Sequence, residues 1–149
     1  MLRLVCFILL PLLCATSTFA QDSFVNRFHD PIQRKIADWT DQHELDSLIS
    51  VCSSPTAAYR QEAAYAFASI QDKHGLPTLI RLLHDPDQEV VQAAIYALGQ
   101  IADSSSISSL LPLLNANQPQ LEGNVLESMG KILAQSKDRK STRLNSSHA

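Results

Sequence analysis

His43, His74, Cys52 and the aspartates Asp41, Asp72 and Asp103 are the residues from which a catalytic or metal site in this chain would be assembled. His43 stands beside Glu44, a dipeptide that can offer two metal ligands, but one pair cannot complete a coordination shell. His74 follows His43 by 31 residues, and both read as solvated imidazoles stacked in successive connections. The three aspartates recur at the same spacing and read as loop and cap residues. Asp41-x-x-Glu44 in particular has the form of a capping box that opens a helix. Cys52 occupies a position equivalent to Leu83, so a buried, inert thiol is expected there, not a nucleophile. There is no glycine-rich phosphate loop and no nucleophile paired with a base. The expectation is therefore no catalytic residue, no cofactor-binding residue, no metal and no small-molecule substrate.

The elements that position these residues become visible once both ends are set aside. Residues 1–20, "MLRLVCFILLPLLCATSTFA", join one arginine to an apolar run from Leu4 to Leu13 and a Thr18-Phe19-Ala20 end with small residues in the recognised places. That is the pattern of a secretory signal peptide cut after Ala20, followed by a linker over 21–29. The run is too short for a stable bilayer span, so contact with the membrane is expected only through this signal. A lipoprotein reading would use Cys14, where Leu13 stands in place of a small residue. Export places the protein in the periplasm or cell envelope.

At the other end, "DRKSTRLNSSH" over 138–148 has no apolar periodicity and resembles the in-frame translation of a sequencing-library adapter. On that reading residues 138–149 are an artefact, the reading frame was cut near Lys137 and the natural chain continues beyond it. Between the two ends, residues 21–137 carry eight Lys and Arg against fourteen Asp and Glu, a balance of −6. An acidic module without a basic cluster is a poor partner for nucleic acid or an anionic membrane surface. With Cys6 and Cys14 in the signal, Cys52 is the one cysteine left, so stability must come from packing.

Sliding the chain against itself gives a dominant offset of 31. Tyr59 falls on Val90, Ala63 on Ala94, Tyr65 on Tyr96, Ile70 on Ile101 and Leu79 on Leu110. The offset also carries Val90 to Leu121, Gly99 to Gly130 and Ile101 to Ile132, and, backwards, Leu76 to Leu45 and Pro86 to Pro55. A period of this size signals an all-α solenoid, in which each unit buries its apolar face only against its neighbours. Within a unit, Val90, Ala94, Ala97, Leu98 and Ile101 form one helical stripe, and Leu76, Leu79, Ile80, Leu82 and Leu83 belong to a shorter helix before it. Each unit is thus a hairpin of a short A helix and a longer B helix.

Three helix starts share turn chemistry. Asp85-Pro86-Asp87-Gln88 predicts an Asp85 cap, Pro86 at the first helical position and Gln88 completing a capping box. Ser54-Pro55 repeats the first two features, and Asp30-Pro31-Ile32-Gln33 repeats all of them. Alanine and glycine at Ala93, Ala94, Ala97 and Gly99 let adjacent B helices approach closely while leucine and isoleucine fill the gaps. Trp39 is expected to close the N-terminal end of the array.

The stretches "DPDQEVVQAAIYALGQIAD" (85–103), "YRQEAAYAFASIQD" (59–72) and "LEGNVLESMGKI" (121–132) resemble the HEAT-repeat superfamily, specifically the short bacterial repeats of the phycobilin-lyase-like type. The resemblance covers nearly all of 30–134 and implies a HEAT-like solenoid over 30–137. Val91 departs from it, because the family often has arginine there; Arg60 keeps that position one unit earlier, so an Asp-Arg ladder along the array is expected to be incomplete. Deoxyhypusine hydroxylase, a HEAT enzyme, places paired His-Glu motifs at the start of B helices. The matching positions in this chain read Gln61-Glu62, Gln92-Ala93 and Gly123-Asn124, without the histidines.

What remains is surface. Gln61, Tyr65, Gln92 and Tyr96 lie opposite the buried stripe and should project in register from the B-helix face. The resemblance implies that this face is concave and binds partners, and exposed tyrosines suit that role. The alternative is that each ring merely packs over its neighbour's stem. The leading expectation is an exported, non-catalytic scaffold that binds a protein partner. A second reading rests on "IADWTDQHELDSLISVCSSP", which resembles the N-terminal part of exported HEAT proteins associated with cyclophilin-type peptidyl-prolyl isomerases; it implies the repeat arm of a larger enzyme. A phycobilin-lyase role is disfavoured by the export signal.

Overall fold

The computed structural model describes the backbone of residues 30–147 and the side chains of residues 30–138. The signal peptide and linker expected over 1–29 lie outside the described residues.

The described residues form seven α-helices: α1 (Pro31–Gln42), α2 (Leu45–Val51), α3 (Ala57–Ile70), α4 (Leu76–Leu82), α5 (Gln88–Ile101), α6 (Ile107–Leu110) and α7 (Pro119–Ser147). Successive elements keep the offset of 31: α3 and α5 start and stop at equivalent residues, α2 and α4 do the same, and α7 starts where the offset predicts. α6 is cut short and its chain loosens into a 3-10 turn over Leu111–Asn115. Pro112, where α4 has Arg81, has no N–H to donate to the preceding turn. α7 runs as one helix past Lys137, through the segment that resembles adapter sequence.

The A helices α2, α4 and α6 form one layer. The B helices α1, α3, α5 and α7 form the other, each lying against the next. The architecture is an all-α solenoid of helical hairpins, as the periodicity predicts.

Helix starts differ in detail from the expectation. Asp30 caps α1 as anticipated, its Oδ1 accepting from the N–H groups of Ile32 at 2.8 Å and Gln33 at 3.3 Å. The reciprocal half of the box is not made, because Gln33 Oε1 is buried without a partner. α5 begins two residues later than predicted. Its cap is Asp87, which accepts from Glu89 and Val90, and Pro86 precedes the helix. Asp85 stays in the turn before the helix, where its Oδ1 accepts from Asp87 N–H at 3.0 Å while both of its oxygens are held by Arg60. α3 likewise starts after Thr56, and Ser54 Oγ accepts from Thr56 N–H in the turn before it.

The capping box at Asp41-x-x-Glu44 is not formed. Asp41 lies inside α1, and Glu44 precedes α2 with no side-chain cap bond. The reason is that α1 runs on to Gln42 and stops only when His43 turns left-handed at φ 58°. His43 N–H then bonds Thr40 O and Glu44 N–H bonds Trp39 O, a Schellman closure that leaves no loop for Asp41 to cap. Asp72 and Asp103 do act as caps, each accepting from the backbone N–H two residues on in a 3-10 turn.

The core answers why the B helices are rich in alanine. Val90, Ala94, Ala97, Leu98 and Ile101 are all buried, and so are Val91, Ala93 and Ile95. α5 has α3 on one side, α7 on the other and α4 against it, so it is covered nearly all round. At Gly99 the approach is close: a Cβ there would stand 2.8 Å from Ser128 Oγ and 3.0 Å from Ser128 Cα on α7. On α3 and α7 the stripe is less complete, with Tyr59, Ile70 and Met129 half-buried. Trp39 is half-buried against the same core on α1.

Polar contacts tie one unit to the next. Arg60 on α3 holds Asp85 before α5, and Lys73 holds Asp103 at 2.6 Å one turn-pair along. Tyr59 Oη donates to Asp30 Oδ2, and Gln88 Nε2 to Gln118 Oε1. Asp103 is held well below the usual carboxylate range, first by the Lys73 ammonium and then by Ser105. No helix among the described residues is long and apolar enough to cross a membrane.

Candidate functional site

The repeat sets Tyr65 on α3 and Tyr96 on α5 at the same height on adjacent B helices. Both rings stay in solvent, 39% and 45% exposed, and they meet edge to face with centroids 5.9 Å apart and planes at 63°. That geometry lets the positive edge of one ring point at the negative face of the other, and both rings keep surface for a third group. Each helix can present its tyrosine this way because the opposite face is anchored by Phe67 and Leu98, which are fully buried.

Tyr65, Gln92 and Tyr96 line a groove of about 250 Å³, closed on the far side by Asn124, Glu127 and Ser128 of α7. Lys131 Nζ lies 5.4 Å from the Tyr96 ring centroid, within cation-π range, and also pairs with Glu127 at 2.8 Å. Three of the four residues expected on this face are thus brought together. Gln61, half-buried one turn before Tyr65, lies outside the groove lining. The α7 wall was missed by sequence reasoning, although the offset of 31 that joins Tyr65 to Tyr96 carries Tyr96 directly onto Glu127. Two rings meeting edge to face, two amides and one compensated ion pair can hold an apolar side chain and hydrogen-bond a peptide.

His43 and His74 do come together, lining a shallow groove of about 380 Å³ with Glu44, Leu45, Asp46 and Ile49. His74 is tied to Asp72, whose Oδ1 accepts from the His74 backbone at 2.8 Å and lies 2.7 Å from its ring Nδ1. Those two bonds hold the Asp72 carboxyl below its usual range. Among the described residues no group of three or more His, Cys, Asp or Glu could hold a metal ion. Cys52 is fully buried and its thiol is pushed up to about 12 by that burial, so it is not a nucleophile at neutral pH.

A family model described as HEAT repeats matches residues 45–140, which takes in the hairpins from α2 into α7. No curated protein matches the chain.

Proposed function

The chain belongs to the HEAT-repeat family, and from that premise we propose that it is a protein-binding scaffold whose partner docks on the groove of Tyr65, Gln92 and Tyr96. HEAT repeats commonly mediate protein interactions, and the fold is typically non-catalytic. The observation that carries the reading is the exposed Tyr65–Tyr96 pair. Two large rings left on the surface by a repeat that buries most of its other apolar side chains are surplus to folding, and aromatic anchors of this kind dominate protein recognition. The acidic balance of residues 21–137 argues against nucleic acid as the partner.

The Met1–Ala20 pattern supports export, so the scaffold is assigned to the periplasm or cell envelope. The test is affinity capture from envelope extract with the wild-type chain and with the Tyr65→Ala/Tyr96→Ala variant, under matched circular dichroism. Both rings lie outside the core, so the variant keeps its helix content. Loss of the captured proteins supports the groove; an unchanged set rejects it.

A further inference from the structure

The two ends of the B layer are finished differently. α1 turns Arg34, Lys35 and Asp38 to solvent, with Ile32 as its one exposed large apolar side chain. α7 instead exposes Leu126 and Leu133, at 59% and 54%. Between and before them lie Gly130 and Gly123, with nothing within 4 Å of where a Cβ would stand. Gly123, Leu126, Gly130 and Leu133 are spaced i, i+3, i+7, i+10, which is one face of the helix.

One unit earlier the equivalents of Leu126, Gly130 and Leu133 are Ile95, Gly99 and Ala102, and all three are buried, Gly99 against Ser128 of α7. The α7 stripe is therefore the same packing surface, continued by one repeat and uncovered among the described residues. Lys137, at the next position of the stripe, ends it with a charge.

We propose that this stripe seats its own counterpart on a second copy of the chain, α7 against α7, antiparallel about a twofold axis at the height of Ser128, whose own side chain faces α5. The sequence of the stripe is self-complementary in that arrangement. Leu126 and Gly130 lie symmetrically about Ser128, and so do Gly123 and Leu133. Antiparallel helices centred there set Leu126 against the partner's Gly130 and Leu133 against the partner's Gly123, with the same two contacts repeated by symmetry. Each leucine enters a recess that a side chain would fill, and the two backbones approach as closely as α5 and α7 do at Gly99. The nearby charges Glu127 and Lys131 already satisfy each other, so the pairing buries no lone charge.

The experiment is sedimentation of the full chain across a wide concentration range. A dimer that dissociates on dilution is expected. Leu126→Glu, Leu133→Glu and the recess-filling Gly130→Leu should each weaken it by about tenfold or more, the equivalent of ~1.4 kcal/mol, with helix content unchanged. Gln135→Glu, exposed and off the stripe, should leave it as it is. Register is read by cysteine pairing: a mixture of Leu126→Cys and Gly130→Cys chains should cross-link faster than either alone, and buried Cys52 does not compete. A monomer at every concentration, as expected if the stripe instead receives a further hairpin of a longer chain, overturns the proposal. So does a dimer indifferent to the stripe variants, or cross-linking that favours like residues.

Discussion

Arg60 grips both carboxylate oxygens of Asp85, Nε to Oδ2 at 2.7 Å and Nη2 to Oδ1 at 2.6 Å, across 25 residues and from one unit to the next. The two side chains are only 11% and 6% exposed, and Arg60 also donates to Ser54 O and Pro55 O at the start of its own helix. One guanidinium thus fixes the turn before α3 and the turn before α5 together. One unit along, Arg60 is replaced by Val91, so this contact has no repeat.

Arg60→Ala should destabilise the chain by about 2 kcal/mol, since it strands a shielded carboxylate and two turn carbonyls. Arg60→Lys should recover little, because an ammonium cannot make the two-pronged contact. Urea midpoints for the three chains check both statements.

Acid should unfold the protein through the same carboxylates. The Arg60 guanidinium holds Asp85 below its ordinary range, and the Lys73 ammonium does the same for Asp103. A carboxyl whose folded pKa is depressed contributes stability that is present above its unfolded value, about 4, and is lost as pH falls through the folded value. Urea midpoints should therefore be flat near neutrality and fall steadily below about pH 4. Asp85→Asn should start lower and show a shallower acid limb. An equally steep limb would mean that other carboxylates carry the effect.

Gly99 on α5 packs directly against Ser128 on α7. Gly99→Ala puts a methyl group 2.8–3.0 Å from Ser128 atoms, one of them backbone, so α5 and α7 must separate. A loss of about 1–3 kcal/mol is expected from such overpacking. Ser128→Gly removes the Oγ and Cβ that the new methyl meets, so the double variant should lose less than the sum of the two single losses. A double-mutant cycle that closes additively would show that the two residues do not compete for this space.

Gln71 ends α3 in the left-handed conformation at φ 57°, and Ala102 ends α5 the same way at φ 50°. Glycine suits this place because a Cβ there is strained. Gln71→Gly should therefore stabilise by about 0.5–1 kcal/mol. Ala102→Gly should stabilise less, because the methyl group it removes is buried. Thermal midpoints of the two variants, compared with wild type, give the order.

How much of this was legible in the sequence depends on what the signal was made of. The period of 31, the A and B helices and the buried stripe of α5 follow from apolar spacing, which packing enforces at every turn. One helix start was misplaced because two aspartates compete for it: Asp85 accepts from Asp87 N–H in the turn and is tied to Arg60, 25 residues away, while Asp87 takes the N–H groups of Glu89 and Val90 that open α5. Asp41 was misread because nothing local announces that His43 will turn left-handed and close α1 late. At the groove, Tyr65, Gln92 and Tyr96 were visible because they repeat, whereas Asn124 and Lys131 belong to the divergent last repeat and became visible only when α7 was placed beside α5.

Gly75 and Ser106 occupy the same place in successive 3-10 turns, and the buried residues eight positions before them, Phe67 and Leu98, are also equivalent. A Cβ on Gly75 would lie 2.5 Å from Phe67 Cδ1, so the large ring is compatible only with glycine in that turn. In the next unit, with the smaller Leu98, a serine is admitted, but its Oγ is buried without a hydrogen-bond partner. The two sites should therefore respond oppositely to the same small side chain. Gly75→Ala must displace the Phe67 ring and should destabilise by about 1–3 kcal/mol. Ser106→Ala keeps the Cβ, removes the stranded hydroxyl and should stabilise by about 1 kcal/mol. Combining Gly75→Ala with Phe67→Leu rebuilds the second unit's arrangement in the first. It should recover part of the Gly75→Ala loss, which a urea titration of the single and double variants would show; no recovery would mean that the ring is not what excludes a side chain from that turn.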